Sequence, residues 1–99
     1  MRGFEWDPNK ELENVRKHGI DFTTASLIWR GSVFERIDNR RDYGEKRFQA
    51  FGVFDNRILT VVFTWRSANR RLISARGANS REKRLYETEI RDQARTLPD

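Results

Sequence analysis

Apolar and polar residues alternate in four segments along the middle of the chain. A period of two predicts β-strands, because successive side chains of a strand point to opposite faces of a sheet. The segments are SVFERI, KRFQAFGVF, RILTVVFTWR and RLISAR, at residues 32–37, 46–54, 57–66 and 71–76. The third segment is apolar on both faces over its middle, which is typical of a central strand. The short polar turns between segments predict antiparallel pairing.

Two short helices are predicted before these strands. Asp7 and Pro8 are typical of a helix start, and Gly19 is typical of a helix end, so the first helix lies between them. A second helix begins at Asp21 or Thr23, where a short polar side chain is followed by apolar residues.

A third helix is predicted after the last strand. Asn79 suits its N-cap, and Glu82 follows three residues later, as in a capping box. Its apolar stripe, which should face the sheet, comprises Tyr86, Ile90, Ala94 and Leu97. The predicted fold class is therefore α+β: two N-terminal helices, a four-stranded antiparallel sheet and a C-terminal helix, with the helices on one face of the sheet.

Composition places the chain among small globular proteins. Its 99 residues suit one domain, 1–99, and 12% aromatic residues supply apolar area for a core. Cysteine is absent, which excludes disulfides and thiolate metal sites and fits a reducing cytoplasm. No apolar run is long enough for a membrane span, and the N-terminus lacks the apolar core of a signal peptide.

Basic residues are concentrated near the last predicted strand. The chain has a net charge of +5, and between residues 66 and 84 Glu82 is the only acidic residue. The basic residues of that stretch are Arg66, Arg70, Arg71, Arg76, Arg81, Lys83 and Arg84. Such a field favours a polyanion, most simply a nucleic acid, and the simpler alternative is a solvated basic surface.

The predicted sheet leaves one face open for phosphate chemistry. A hairpin brings Arg47 and Arg66 to the same end of that sheet, whereas the Cα of Arg76 lies toward the other end. Arginine offers a planar, permanently charged fork of donors that suits phosphate oxygens. Fixed cations of this kind stabilise the charge that develops when a 2′-hydroxyl attacks the neighbouring phosphate of RNA.

The same reaction needs groups that accept and donate protons. The candidates are His18, Tyr86, Glu82 and Lys46; only His18 has an ordinary pKa near neutrality. His18 also suits a helix C-terminus, and Tyr86 also suits the core. With one histidine, no cysteine and no pair of acids at ligand spacing, neither a metal site nor a cofactor is predicted.

Four stretches resemble one family of bacterial toxins. FEWDPNK, NVRKHGIDF, RRLISARGA and the pair Glu82 and Tyr86 are similar, in order and spacing, to the BrnT toxins. The resemblance implies a RelE-like fold and a metal-independent endoribonuclease of a type II toxin–antitoxin system, which stops translation and arrests growth. It also implies a DNA-binding antitoxin that neutralises the toxin, with operator DNA bound only through the complex of the two.

The resemblance also implies a site. By motif position it includes Arg76 and Tyr86, and it extends with less support to Arg47, Arg66 and His18. The residues expected to bind flanking RNA phosphates are Lys46, Arg81, Lys83 and Arg84. Two other functions stay open on the residues alone: a non-catalytic nucleic-acid-binding or regulatory module, and a protein-interaction domain whose arginines dock an acidic partner.

Overall fold

A five-stranded mixed sheet forms the centre of the protein, and helices lie on both of its faces. The computed structural model describes residues 3–96. The elements in chain order are β1 (Phe4–Trp6), α1 (Pro8–His18), α2 (Phe22–Ser26), a 3₁₀ turn (Leu27–Arg30), β2 (Phe34–Ile37), β3 (Phe48–Phe54), β4 (Arg57–Arg66), β5 (Asn69–Gly77) and α3 (Ser80–Thr96). The strands lie in the order β1-β5-β4-β3-β2. The α+β class is confirmed.

The prediction of four antiparallel strands is wrong, because the N-terminal segment adds a fifth strand. β1 pairs in parallel with β5, with Phe4 opposite Arg70 and Trp6 opposite Leu72. Three residues carry too little periodicity to reveal a strand, and its partner lies more than sixty residues further along the chain. β2 to β5 form the expected antiparallel meander.

Local helix and turn signals are confirmed. The Asp7 side chain caps α1, and Gly19 ends that helix with a φ of 70°, a conformation that glycine adopts at no steric cost. The Asp21 carboxylate caps α2 by accepting from the Thr24 N–H. α2 is only five residues long, and the four residues that follow it, Leu27–Arg30, form the 3₁₀ turn.

The core lies between α2, the 3₁₀ turn and one face of the sheet, here called the helix face. Its fully buried side chains include Phe22, Ile28, Leu59, Val61 and Phe63. The 3₁₀ turn approaches β3 so closely that a Cβ at Gly52 would lie 2.8 Å from the Ile28 Cβ.

Helix α3 lies against the opposite face, so the prediction that all helices cover one face is wrong. The Thr60 hydroxyl donates to the Glu82 carboxylate, and Thr60 alternates with the core residues Leu59 and Val61. Of the predicted stripe, Tyr86 is buried, Ile90 is partly buried and Ala94 is exposed. Leu97 lies outside the described residues. Only the beginning of α3 is therefore tied to the sheet.

A β-bulge changes which side chains of β5 share a face. Val62 lies opposite Ser74, but its neighbour Phe63 lies opposite Leu72, so Ile73 is the extra residue. Simple alternation predicted Leu72, Ser74 and Arg76 on one face. Instead Leu72 joins the core, while Arg71 turns to the same side as Ser74 and Arg76. This shift adds a cation to the side of the sheet opposite α2.

A buried asparagine completes the edge of β5 beyond β1. The Asn14 side chain accepts from the Ala75 N–H at 3.0 Å and donates to the Ala75 carbonyl at 2.9 Å. It also donates to the Ile20 carbonyl at 2.8 Å. One side chain thus replaces a neighbouring strand and fixes α1 beside β5. Within residues 3–96, no helix is long and apolar enough to cross a membrane.

A candidate nucleic-acid interface on the open sheet face

The sheet face opposite α2, here called the open face, carries one arginine from β2, one from β4, two from β5 and one directly before β3. The strand register places them there: Arg36 pairs with Gln49, Arg66 pairs with Asn69 and Arg76 pairs with Thr60. Paired side chains point to the same face of a sheet, and these positions alternate with the core positions of their strands. The full set on this face is Arg36, Arg47, Arg66, Arg71 and Arg76. Their charge makes the open face a candidate surface for a polyanion.

One end of the open face, here called the docked end, is covered by the first turn of α3. Arg76 binds both oxygens of the Glu82 carboxylate, from Nη1 at 2.7 Å and from Nη2 at 2.9 Å. Thr60 Oγ1 donates to the same carboxylate at 3.1 Å. The carboxylate also accepts from the Asn79 N–H, and the Glu82 N–H bonds Asn79 Oδ1 in return, which confirms the predicted capping box.

The Glu82 carboxylate stays ionised at the docked end. Burial by itself raises the pKa of this group, but the hydrogen bond from Arg76 and those from Asn79 and Thr60 outweigh it and hold the pKa below its ordinary value. Arg76 therefore faces a permanent counter-charge. Its guanidinium is fixed in position, and its Nε edge is the part that makes no hydrogen bond to Glu82.

Tyr86 lies one helical turn beyond Glu82. Its hydroxyl donates to the Ser32 carbonyl at 2.8 Å, which joins α3 to the chain just before β2. Burial raises the pKa of this hydroxyl above its ordinary value. Tyr86 is therefore protonated at neutral pH, so it suits a proton donor rather than a proton acceptor.

The other end of the open face, here called the free end, lies where β4 finishes. Continuing the β3–β4 register by one residue places Arg47 opposite Thr64. Arg71 binds the Glu5 carboxylate at 2.7 Å, while Arg66 makes no ion pair among the described residues. The hydrogen bonds from Arg71 and Asn69, with the charge of Arg66, hold the pKa of Glu5 below its ordinary value.

The two ends are too far apart to bind one phosphate. Arg76 lies opposite Thr60, and Arg66 lies six residues further along β4. At a rise of about 3.3 Å per residue, their backbones are separated by about 20 Å. The structure thus brings Arg47 and Arg66 together at the free end and leaves Arg76 at the docked end. A nucleic acid that touches both ends must do so through different phosphates.

The other predicted site residues lie around the rim of the open face. His18 is exposed at the end of α1 and lines a cavity of about 220 Å³ with Lys10, Lys17 and Ser74. Lys46 is exposed beside Arg47, and α3 exposes Arg81, Lys83 and Arg84 along its first turns. Among residues 3–96, no group of three or more histidine or acidic side chains is placed to hold a metal ion.

Sequence reasoning missed two arginines of the open face. Arg71 was assigned to the opposite face because the bulge at Ile73 has no sequence signal. Arg36 could have been found from the sequence, since its position in the alternating segment SVFERI indicates which face it shares. In the structure it donates to the Gln49 side chain at 2.9 Å. Its guanidinium also lies 5.2 Å from the Phe51 ring centre.

Arg70 belongs to the same basic stretch but lies on the helix face. Its guanidinium carbon is 4.8 Å from the Trp29 ring centre and 4.5 Å from that of Trp65. It also binds Glu35 at 3.0 Å. Trp6, an aromatic residue that could in principle stack on a base, packs edge-on against Phe22 in the core. Arg70 and Trp6 therefore stabilise the fold, whereas Trp65 is half exposed.

The architecture is that of a small α+β domain with an arginine-lined sheet face. The profile of a family described as the ribonuclease toxin BrnT of type II toxin–antitoxin systems matches residues 6–82. Because the match spans most of the chain, this chain belongs to the BrnT family of ribonuclease toxins, and its resemblance to that family is confirmed. Membership implies a cognate protein antitoxin. Comparison with curated proteins gives no match.

Proposed function

We propose that this chain is the toxin of its type II system and an endoribonuclease that cuts RNA on the open face without a metal ion. Cleavage of RNA stops translation in the cytoplasm and arrests growth, and the cognate antitoxin neutralises it. Operator DNA is bound only through the toxin–antitoxin complex. The observation that carries this proposal is the row of five arginines across the open face.

The row of arginines supplies the positive charge that such a reaction requires. A 2′-hydroxyl oxygen attacks the adjacent phosphorus, and the bond from phosphorus to the 5′ oxygen breaks, which leaves a cyclic phosphate and a free 5′-hydroxyl. Negative charge on the phosphate oxygens increases along this path, so a preorganised cation lowers the barrier. Arg76 fits this role best, because Glu82 and the β5 backbone fix its position.

Proton transfer is assigned to Tyr86 and His18. Tyr86 is protonated at neutral pH and lies one turn from the carboxylate that holds Arg76, so we place it as the acid that protonates the leaving oxygen. Its hydroxyl must leave the Ser32 carbonyl to do so. His18 shares a cavity with Ser74, a residue of the open face next to the β5 edge, whereas Tyr86 bonds the chain just before β2, at the opposite edge of the sheet. We therefore place His18 as an alternative proton-transfer group, and not as a base that acts with Tyr86 on the same phosphate.

The free end and the rim then bind the rest of the substrate. Arg47 and Arg66 receive phosphates on one side of the scissile bond. Lys46 extends that side, and Arg81, Lys83 and Arg84 receive phosphates beyond the docked end. Contacts of this kind contribute affinity that weakens as salt is added.

One observation favours a non-catalytic nucleic-acid-binding or regulatory module instead. The polar groups of Tyr86 and Glu82 are both already bonded within the protein, as structural residues are. This alternative retains the arginine row as a binding surface and predicts RNA binding without cleavage.

Cleavage of labelled RNA in EDTA by the purified chain separates the two functions. The proposal predicts fragments ending in cyclic phosphate, and predicts that Arg47→Ala with Arg66→Ala reduces cleavage. Arg16→Ala is the matched control, because it removes an exposed arginine from α1, away from the open face. RNA that is bound but stays intact, with and without ribosomes, would instead support the binding module.

A further inference from the structure

The loop between β2 and β3 is organised by one buried carboxylate. Asp38 accepts from both Nε and Nη2 of Arg40 at 2.8 Å, and from the Tyr43 hydroxyl at 3.3 Å. The Asp38 N–H donates to the Arg47 carbonyl at 2.8 Å, which continues the β2–β3 ladder into the loop. These hydrogen bonds define the conformation of the loop and fix the position of Tyr43.

Tyr43 and Arg47 form a stacked pair beside the free end of the open face. The Arg47 guanidinium carbon lies 4.1 Å from the centre of the Tyr43 ring, and Arg47 Nε is held by Glu45 at 3.1 Å. The Arg41 guanidinium carbon lies 6.0 Å from the same ring. Aromatic rings and guanidinium planes are the surfaces on which unpaired RNA bases stack.

A cavity of about 430 Å³ opens at this pair. Besides Tyr43 and Arg47 it is lined by Arg41, Lys46 and the half-exposed Ile37, and also by acidic side chains, of which Asp38 and Glu45 are paired with arginines. The remaining acidic residue of the lining is Asp42. Its volume lies within the range of small-ligand sites. Neither Arg41 nor Lys46 makes an ion pair among the described residues, so both cations are available to an anion.

This cavity adjoins a second one that leads onto the open face. The second, of about 340 Å³, is lined by Arg36 and Gln49, and the two share Ile37, Asp38 and Asn39. The shared residues connect the β2–β3 side of the open face to the Tyr43–Arg47 pair. A strand that follows the arginine row along these two cavities reaches the stacked pair directly.

We propose that this loop is a nucleobase-binding subsite, in which one RNA base stacks on the Tyr43–Arg47 pair while Arg41 and Lys46 bind the phosphates beside it. The inference rests on the proposed function and deepens it, since it adds contact with a base to a face that otherwise contacts phosphates. An acidic peptide would use the two cations, but it would leave the flat aromatic surface without a partner.

Binding of two uncleavable ligands tests the subsite. One is a 2′-O-methyl RNA hexanucleotide, and the other is an abasic oligonucleotide with the same phosphates. Fluorescence anisotropy of the full chain should show about tenfold tighter binding of the base-bearing ligand. Tyr43→Ala should abolish this preference, and Tyr43→Phe, which keeps the ring but loses the bond to Asp38, should retain it.

Equal affinity for both ligands, or a preference that survives Tyr43→Ala, would overturn the subsite. Thermal unfolding of Tyr43→Ala and Tyr43→Phe checks that both variants fold.

Cleavage of ordinary RNA, measured in parallel, separates the subsite proposal from the nuclease proposal. If the chain cuts RNA but shows no base preference, only the subsite proposal is contradicted. A base preference without cleavage supports the subsite and contradicts the nuclease. If Tyr43→Ala instead weakens antitoxin binding and keeps the base preference, the loop belongs to the antitoxin interface.

Discussion

At the docked end of the open face, Arg76 is bound by two oxygens of a buried carboxylate; at the free end, Arg66 makes no ion pair among the described residues. A compensated arginine is fixed in place, and it contributes both to the stability of the fold and to precise positioning. An exposed arginine without an ion pair is not fixed in this way and contributes mainly attraction for anions. We therefore propose that the chemical step takes place at the docked end and that the free end contributes substrate affinity.

The largest expected effect is on stability at the docked end. Arg76→Ala leaves the Glu82 carboxylate buried without its main partner, so we expect the free energy of unfolding to fall by about 2–4 kcal/mol. Urea denaturation measures the loss. Arg76→Ala combined with Glu82→Gln removes both charges, so the double variant should lose less unfolding free energy than Arg76→Ala alone. If Arg76→Ala has the same free energy of unfolding as the parent chain, Glu82 does not compensate Arg76, and the contrast between the docked end and the free end is wrong.

The next effect concerns turnover. Tyr86→Phe removes the proposed acid, so the cleavage rate at saturating RNA should fall by about 10²-fold while KM changes little. Loss of the bond to Ser32 should cost about 1 kcal/mol of stability. Single-turnover kinetics and urea denaturation measure the two. A variant that loses the stability but keeps the rate would make Tyr86 a structural residue only.

The docked end should also be sensitive to acid. The folded pKa of Glu82 is depressed, so its contribution to stability is complete above the unfolded value of 4.5 and is lost as pH falls through the folded pKa. Glu82→Gln should therefore flatten the fall in unfolding free energy between pH 6 and about pH 3. Glu13→Gln, which removes an exposed ion pair with Lys17, is the matched control and should change the slope less.

The smallest effect is expected at the free end. Arg66→Ala should leave the free energy of unfolding within about 0.5 kcal/mol of the parent value, because Arg66 is exposed and unpaired. It should weaken RNA binding and lower the salt dependence of the affinity by about 0.7 in log–log slope, as expected for one lost phosphate contact. An unchanged slope would remove Arg66 from the interface.

Local chemistry was predictable from the sequence. Asp7, Gly19 and Asp21 mark helix ends through side-chain caps or glycine geometry, and the structure shows each of them. The β3–β4 hairpin follows from Asp55 and Asn56, whose φ values of 52° and 60° are the left-handed geometry that these residues tolerate. Each of these signals depends on residues no more than four positions apart, so the local sequence is sufficient to identify it.

Features that depend on distant partners were not predictable. The spacing of Leu12 and Val15 on α1 is typical of a packed apolar stripe, but both are exposed, and the helix is fixed by Asn14 bonding Ala75 across the fold. Likewise the capping box predicted Glu82 as a cap but did not predict that it also holds Arg76. The bulge at Ile73, which gives the open face Arg71, depends on the pairing of two whole strands.

The most direct test of the open face is a map of where RNA lies. Backbone amide chemical shifts of the ¹⁵N-labelled chain should be recorded during titration with a 2′-O-methyl RNA hexanucleotide. We expect the shifts to concentrate on the open face from Arg76 to Arg66, including Thr64 and Ser74, while α2, which packs on the opposite face of the sheet, stays unchanged. Shifts confined to α1 or to α2, with the open face unaffected, would contradict binding of RNA on the open face.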